Sequence, residues 1–209
     1  MPMRRTILLL ATMALTLLVA SGVALAVTKI GTDGPDTLMG TNKADNLVGL
    51  GGNDRLFSLA GRDNLVGGSG KDVVFGGRIV GSCCQDNDYS GGDKNLAGGP
   101  GNDVVQGGRG ADNIVGGRGN DDLFEGAEPD VAKPDNISAG AGNDTVWVLN
   151  WSPRGKDFLS CGSGFDWVIA DRTDVIAPDC ERVFFGRRHI DEWFESVPQR
   201  HWEGLPDLA

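Results

Sequence analysis

In residues 49–75, "GLGGNDRLFSLAGRDNLVGGSGKDVVF", an aspartate recurs every nine residues, at 54, 63 and 72. Two places after each comes an aliphatic residue: Leu56, Leu65 and Val74. A fixed short period constrains a chain more than its composition does, because every unit must repeat one local path and bury its apolar side against the next copy. With the acid at the sixth place of each unit, the series runs Asp36, Asp45, Asp54, Asp63, Asp72, then Asp103, Asp112, Asp121, then Asp135, Asp144, and finally Asp157 and Asp166. The eighth place is then Leu38, Leu47, Leu56, Leu65, Val74, Val105, Ile114, Leu123, Ile137, Val146, Leu159 and Val168, aliphatic every time. Twelve of the 23 aspartates fall at this one place, which general Asp richness does not produce.

Glycine pairs open many units, as in "GGPGNDVVQ", "GGRGADNIV" and "GGRGNDDLF". Two weaker units fit the same frame: "GGRIVGSCC" (76–84), with Gly81 in the acid place and Cys83 in the aliphatic place, and "YSGGDKNLA" (89–97), with Lys94 and Leu96. Short insertions at 85–88, 125–129 and 148–151 are expected to loop outward, leaving fourteen units from Gly31 to Ile169. This pattern resembles the RTX, or hemolysin-type, calcium-binding nonapeptide repeats, G-G-x-G-x-D-x-U-x. The resemblance implies an all-β fold, a parallel β-roll in which two units make one circuit of a two-sheet solenoid. It also implies that sixth-place aspartates and turn carbonyls hold calcium.

Elementary geometry agrees. A three-residue strand centred on place eight turns one side chain inward and its neighbours outward. Two opposed sheets then meet through a thin aliphatic core, and seven circuits stack to about 34 Å. Glycines supply the positive-φ conformations that tight turns need. Units eighteen residues apart lie on the same side, so Asp36, Asp54 and Asp72 form one column and Asp45 and Asp63 the other. Stacked carboxylates repel unless a cation sits between them, and calcium takes six to eight hard oxygen ligands from carboxylates and carbonyls. Magnesium demands a stricter octahedron, and no Cys/His cluster suggests zinc. Asx turns alone would use the same acids, but would leave the repulsion uncompensated. With no acid at Gly81 or Lys94, the expectation is two separate arrays, Asp36 to Asp72 and Asp103 to Asp166, with the Lys94 ammonium beside Asp72.

The remaining chain divides into three expected regions: a signal peptide at 1–26, the roll at 27–169 and a C-terminal cap at 170–209, which holds a short helix. Arg4 and Arg5 lead into "TILLLATMALTLLVASG", and "ALA" follows, so cleavage is expected after Ala26, with an uncleaved anchor as the alternative. No second long apolar run exists, so the mature chain is expected to have no membrane span and to be extracellular. The net charge is −10, and residues 1–26 contribute only positive charge. That balance argues against nucleic-acid binding and suits a cation. Gly-rich, aromatic-poor composition leans toward disorder without such a device.

Four cysteines in an exported chain favour disulfides, with three pairings open. Cys161 and Cys180 lie nineteen residues apart, near one circuit, and "CGSGFDWVIADRTDVIAPDCERV" looks like the closing segment of secreted bacterial relatives. Cys161–Cys180 is therefore the favoured pair, while Cys83 and Cys84 stay open. Ninth-place residues Met39, Phe57 and Phe75 form an outward apolar stripe. It is expected to be covered by the tail, where Ile190, Trp193, Phe194 and Val197 have helical spacing, or else by a surface, matrix or protein partner.

No H-E-x-x-H or G-x-S-x-G motif is present. The expectation is a non-enzymatic, secreted, calcium-loaded structural, surface or adhesion module that folds on binding several Ca2+ ions. The alternative is a polysaccharide-acting enzyme on a β-solenoid, using acids outside the repeat such as Asp191, Glu192 and Glu195.

Overall fold

The computed structural model describes residues 25–77, 92–93, 95–126, 133–149 and 156–186. Strands alternate between two sheets. The first contains β1 (Thr28–Ile30), β3 (Asn46–Gly51), β5 (Asn64–Ser69), β7 (Asn95–Pro100), β9 (Asn113–Arg118), β11 (Asn136–Ala141), β13 (Phe158–Ser163) and β15 (Val175–Ile176). The second contains β2 (Thr37–Met39), β4 (Arg55–Phe57), β6 (Val73–Phe75), β8 (Val104–Gln106), β10 (Asp122–Phe124), β12 (Thr145–Val148), β14 (Trp167–Ala170) and β16 (Arg182–Phe185). Every neighbouring pair is parallel, so each strand pairs with the strand one circuit away. The molecule is an all-β, two-sheet parallel solenoid of about seven turns, and no helix occurs among the described residues.

The alternation predicted from the repeat sets the core. Leu47, Leu56, Leu65, Val74, Leu96, Val105, Ile114 and Val146 are fully buried between the sheets. Each is flanked by residues on the outer faces, so one aliphatic side chain per strand carries the packing. Towards the C-terminus Ala139, Val148, Cys161 and Ala170 join the core at the first place of their units, where most earlier circuits have glycine. The turns between strands allow no side chain at certain places. Gly70 has φ +140°, and a Cβ there would lie 1.6 Å from the Gly52 carbonyl oxygen of the preceding circuit. Successive circuits touch backbone to backbone at this point.

The coil departs from the expected frame at residues 76–94. β6 pairs directly with β8, and β5 directly with β7, so no strand from 76–84 stands between them. Residues 78–91 lie outside the described residues, and both sheets pair across them. Glu125 and Val148, expected in outward loops, belong to the coil instead. The Glu125 N–H donates to the Trp147 carbonyl at 3.1 Å, and Val148 pairs with Ala170.

Both sheets run past residue 169, through β15 and β16. The last circuit is tied by a disulfide between Cys161 and Cys180, whose Cα atoms are 5.1 Å apart, as the spacing led us to expect. Residues 1–24, Cys83, Cys84, Lys94 and the residues from 187 onward lie outside the described residues.

Candidate metal centre

Each turn ends in its sixth-place acid, which is also the last residue before a strand. The strand pairing places these acids directly above one another, and their own backbone links them. The Asp36 N–H donates to Asp54 Oδ1 at 2.8 Å, Asp54 to Asp72 at 2.8 Å, and Asp72 to Asp103 at 2.8 Å. The column continues from Asp103 to Asp121 (2.8 Å), Asp121 to Asp144 (2.9 Å) and Asp144 to Asp166 (2.9 Å), and ends on Glu181 Oε2 (2.9 Å). The other column runs from Asp45 to Asp63 (2.7 Å), then to Asp93 (2.9 Å), Asp112, Asp135 (2.8 Å), Asp157 (2.8 Å) and Asp174 (3.2 Å).

All twelve sequence-predicted aspartates therefore lie in two continuous ladders. The expected break into two arrays does not occur, because Asp93, not Lys94, sends its carboxylate into the ladder. Asp72 accordingly neighbours Asp103, and Asp63 neighbours Asp93. The nine-residue count missed Asp93 because one extra residue separates it from Asn95, which pairs with Asn64. It missed Asp174 and Glu181 because the closing circuits are short, 17 residues from Asp157 and 15 from Asp166. Four further acceptors, Asn53, Asn102, Asn120 and Asn143, stand one place before the acids on one edge and take backbone N–H groups from the next circuit.

The ladder uses only one oxygen of each carboxylate. Oδ2 of Asp54, Asp72, Asp103, Asp121, Asp144 and Asp166 is buried and receives no hydrogen bond. Buried anionic oxygens without donors are strongly unfavourable, so this row calls for a cation or a proton. Its surroundings supply more oxygen. A Cβ on Gly49 would lie 2.2 Å from Asp54 Oδ2 and 2.3 Å from the Gly67 carbonyl oxygen. At Gly116 the corresponding distances are 2.6 Å to Asp121 Oδ2 and 2.4 Å to the Ala139 carbonyl. Carboxylate and carbonyl oxygens from successive circuits thus converge, with glycine leaving the space between them clear. A donor set of oxygens alone fits calcium rather than zinc or copper.

Burial is the main force on these acids. It pushes Asp103 up to about 7, Asp121 up to about 8 and Asp144 up to about 7, against a backbone hydrogen bond that pulls each down. Like charges one circuit away add to the rise. Asp72 and Asp166 are raised for the same first reason. At the other column Glu125, Asp135 and Asp157 are all buried, with carboxylate oxygens within 4.8 Å of one another. Burial, then the charges of Asp157 and Asp135, push Glu125 up to about 11. Sequence reasoning missed Glu125 because it treated 125–129 as an insertion.

On the outer face of the second sheet, Met39, Phe57 and Phe75 stand in register. Met39 is exposed, and the two phenylalanine rings stack with centroids 5.6 Å apart. The acids Asp191, Glu192 and Glu195 lie outside the described residues, as do His189 and His201.

Fold and site together define a class: a parallel β-solenoid whose two turn edges present stacked carboxylates to backbone carbonyls. Comparison with known families makes this specific. The RTX calcium-binding nonapeptide repeat matches in four copies, at residues 30–65, 49–78, 88–124 and 132–148, and the chain belongs to that family. Neither a curated protein nor a solved structure matches the chain. RTX repeats bind Ca2+, so calcium is the expected ligand of these turns. Among the described residues no helix is long and apolar enough to cross a membrane.

Proposed function

We propose that this chain is an exported calcium-binding repeat protein whose coil forms on binding several Ca2+ ions outside the cell. In that form it acts as a structural, surface or adhesion module. The carrying observation is the row of buried Oδ2 atoms at Asp54, Asp72, Asp103, Asp121, Asp144 and Asp166, which receive no donor; at Asp54, Asp72 and Asp121 a carbonyl oxygen of the next circuit stands close by. The twelve sixth-place aspartates, together with Asp93 and Asp174, supply the carboxylates, and turn carbonyls complete the shells. Calcium would neutralise charges that burial otherwise keeps protonated, and would hold successive circuits together. With one aliphatic side chain per strand, the core contributes only about 1.5–3 kcal/mol per buried Leu or Val. Ordering a residue costs about 1–2 kcal/mol of backbone entropy alone. Ion binding then supplies folding free energy.

Export is supported by the leader-like sequence at 1–26 and by the disulfide, a bond that persists in oxidising compartments. The Met39, Phe57 and Phe75 stripe is the proposed contact surface for a cell-surface, matrix or protein partner.

The deciding experiment is circular dichroism of residues 27–209, titrated with calcium, then with chelator, with magnesium as control. The expected result is a β signal that grows with calcium, collapses on chelation and responds poorly to magnesium. A β signal present without calcium and indifferent to chelator overturns the reading.

A further inference from the structure

On the edge that carries Asp45 to Asp174, the first place of each unit faces the oxygens of the ladder. A Cβ on Gly76 would lie 2.2 Å from Asp93 Oδ2 and 2.3 Å from the Gly107 carbonyl oxygen. On Gly107 it would lie 2.3 Å from the Glu125 carbonyl oxygen and 2.8 Å from Asp112 Oδ2. A side chain at this place therefore enters the interior beside its own unit's acid and the next circuit, although Val148 and Ala170, at the same place, join the apolar core. Glu125 occupies this place, and its backbone is fixed from both sides. Its N–H donates to Trp147 O at 3.1 Å, and its carbonyl accepts the Gly108 N–H at 2.9 Å.

The Glu125 side chain is 2% exposed, no N–H or hydroxyl donor reaches either carboxylate oxygen, and the Asp157 carboxyl lies within hydrogen-bonding reach. Its oxygens lie with those of Asp135 and Asp157 inside a 4.8 Å span. That upper limit admits a calcium shell, whose opposed ligands stand about 4.6–5.2 Å apart. Ser58, at the same place nearer the N-terminus, also has a buried oxygen without a partner, but a neutral one. Three anions gathered in a buried site, one of them without any N–H or hydroxyl donor, are untenable without a compensating cation or proton.

We propose that Glu125, Asp135 and Asp157 form a three-carboxylate calcium seat, tighter than the seats built on sixth-place aspartates alone, which retains its ion when the rest of the coil is stripped. This rests on the calcium reading above but assigns a ligand outside the sixth place of the repeat. Affinity of oxygen sites for calcium rises with the number of charged ligands, which gives the ordering its physical basis.

The test is metal analysis of the calcium-loaded mature chain dialysed against graded chelator, alongside calcium titration by calorimetry. Wild type is expected to keep one ion per chain at chelator levels that remove the others. Glu125→Gln, which keeps shape but loses charge, and Glu125→Gly, which restores the glycine of ordinary turns, should both lose that ion. Their tightest calcium affinity should fall at least about tenfold, with the weaker sites intact. Glu125→Gly keeps the test valid if the amide variant fails to fold. Wild type that binds calcium with no chelator-resistant ion overturns this inference alone. So do variants with unchanged affinity, the behaviour expected if Glu125 simply holds a proton against Asp157. Wild type that binds no calcium overturns the function proposed above as well.

Discussion

A sixth-place aspartate has two jobs, one per oxygen. Oδ1 accepts the backbone N–H of the aspartate one circuit back and so holds the turn, while Oδ2 is left in a dry space against carbonyls. The second job makes the metal-free coil sensitive to pH in an unusual direction. Asp103, Asp121 and Asp144 would hold protons in the folded chain up to about 7, 8 and 7, but only up to the ordinary aspartate value of 3.8 when unfolded. A raised folded-state value means that the folded chain binds more protons. The stabilisation is therefore complete below about 3.8 and is lost as pH rises through 7 to 8. In chelator, the collapsed β signal, and with it any melting point, is expected to recover as pH falls from 8 to 5. In saturating calcium melting points should fall over the same range, because protons compete for the same oxygens. Parallel slopes in the two series would contradict ion binding at the ladder.

At the scale of the strand and its turn, two leucines sit in backbone conformations that their neighbours reserve for glycine. Leu50 has φ +82° and Leu59 has φ +81°, while Gly68, one circuit after Leu50, has φ +112°. Left-handed backbone is disfavoured for a residue with a Cβ by roughly 1–2 kcal/mol. Leu50 is also 45% exposed, so little packing is lost on truncation. Leu50→Gly is expected to stabilise the calcium-bound coil by about 0.5–1 kcal/mol, once glycine's extra unfolded entropy is set against the relief. A denaturant midpoint that falls would show that Leu50 is held there by contacts instead.

The same scale shows what the sequence could and could not disclose. The acid and aliphatic places were legible because each is imposed by a separate demand, ladder and core, and both recur at one period. Register through 76–94 was not legible, because counting by nine fills places regardless of what occupies them. Gly81 and Cys83 satisfy neither demand, and Asp93 reaches the ladder from one residue off the count. Glu125 was hidden for the opposite reason: a charged residue beside an insertion reads as solvent-exposed, and only the first-place backbone turns it inward.

At the scale of the whole coil, each circuit touches only its neighbours, so stability is a sum of local terms and unravelling starts at the ends. The Cys161–Cys180 disulfide closes the last circuit over 19 residues. Such a closure is worth about 3 kcal/mol in the chain-entropy model. Cys180→Ser is expected to lower unfolding free energy in calcium by about that amount, measured in denaturant without reductant. Loss of less than about 1 kcal/mol would mean that the terminal strands already hold the end closed without help from the bond.

The length of chain between sheet and acid differs between the two edges. Between the second sheet and the following acid, the paths from Phe75 to Asp93, Phe124 to Asp135 and Val148 to Asp157 are long. On the opposite edge the turns Gly49 to Asp54, Gly67 to Asp72, Gly98 to Asp103 and Gly116 to Asp121 keep one length. One rim of the molecule is thus a ruler with equal graduations, and the other is a row of dissimilar brackets. Cations along the ruler should be interchangeable in affinity and fill as a cooperative set, while those along the brackets should each have a binding strength of their own.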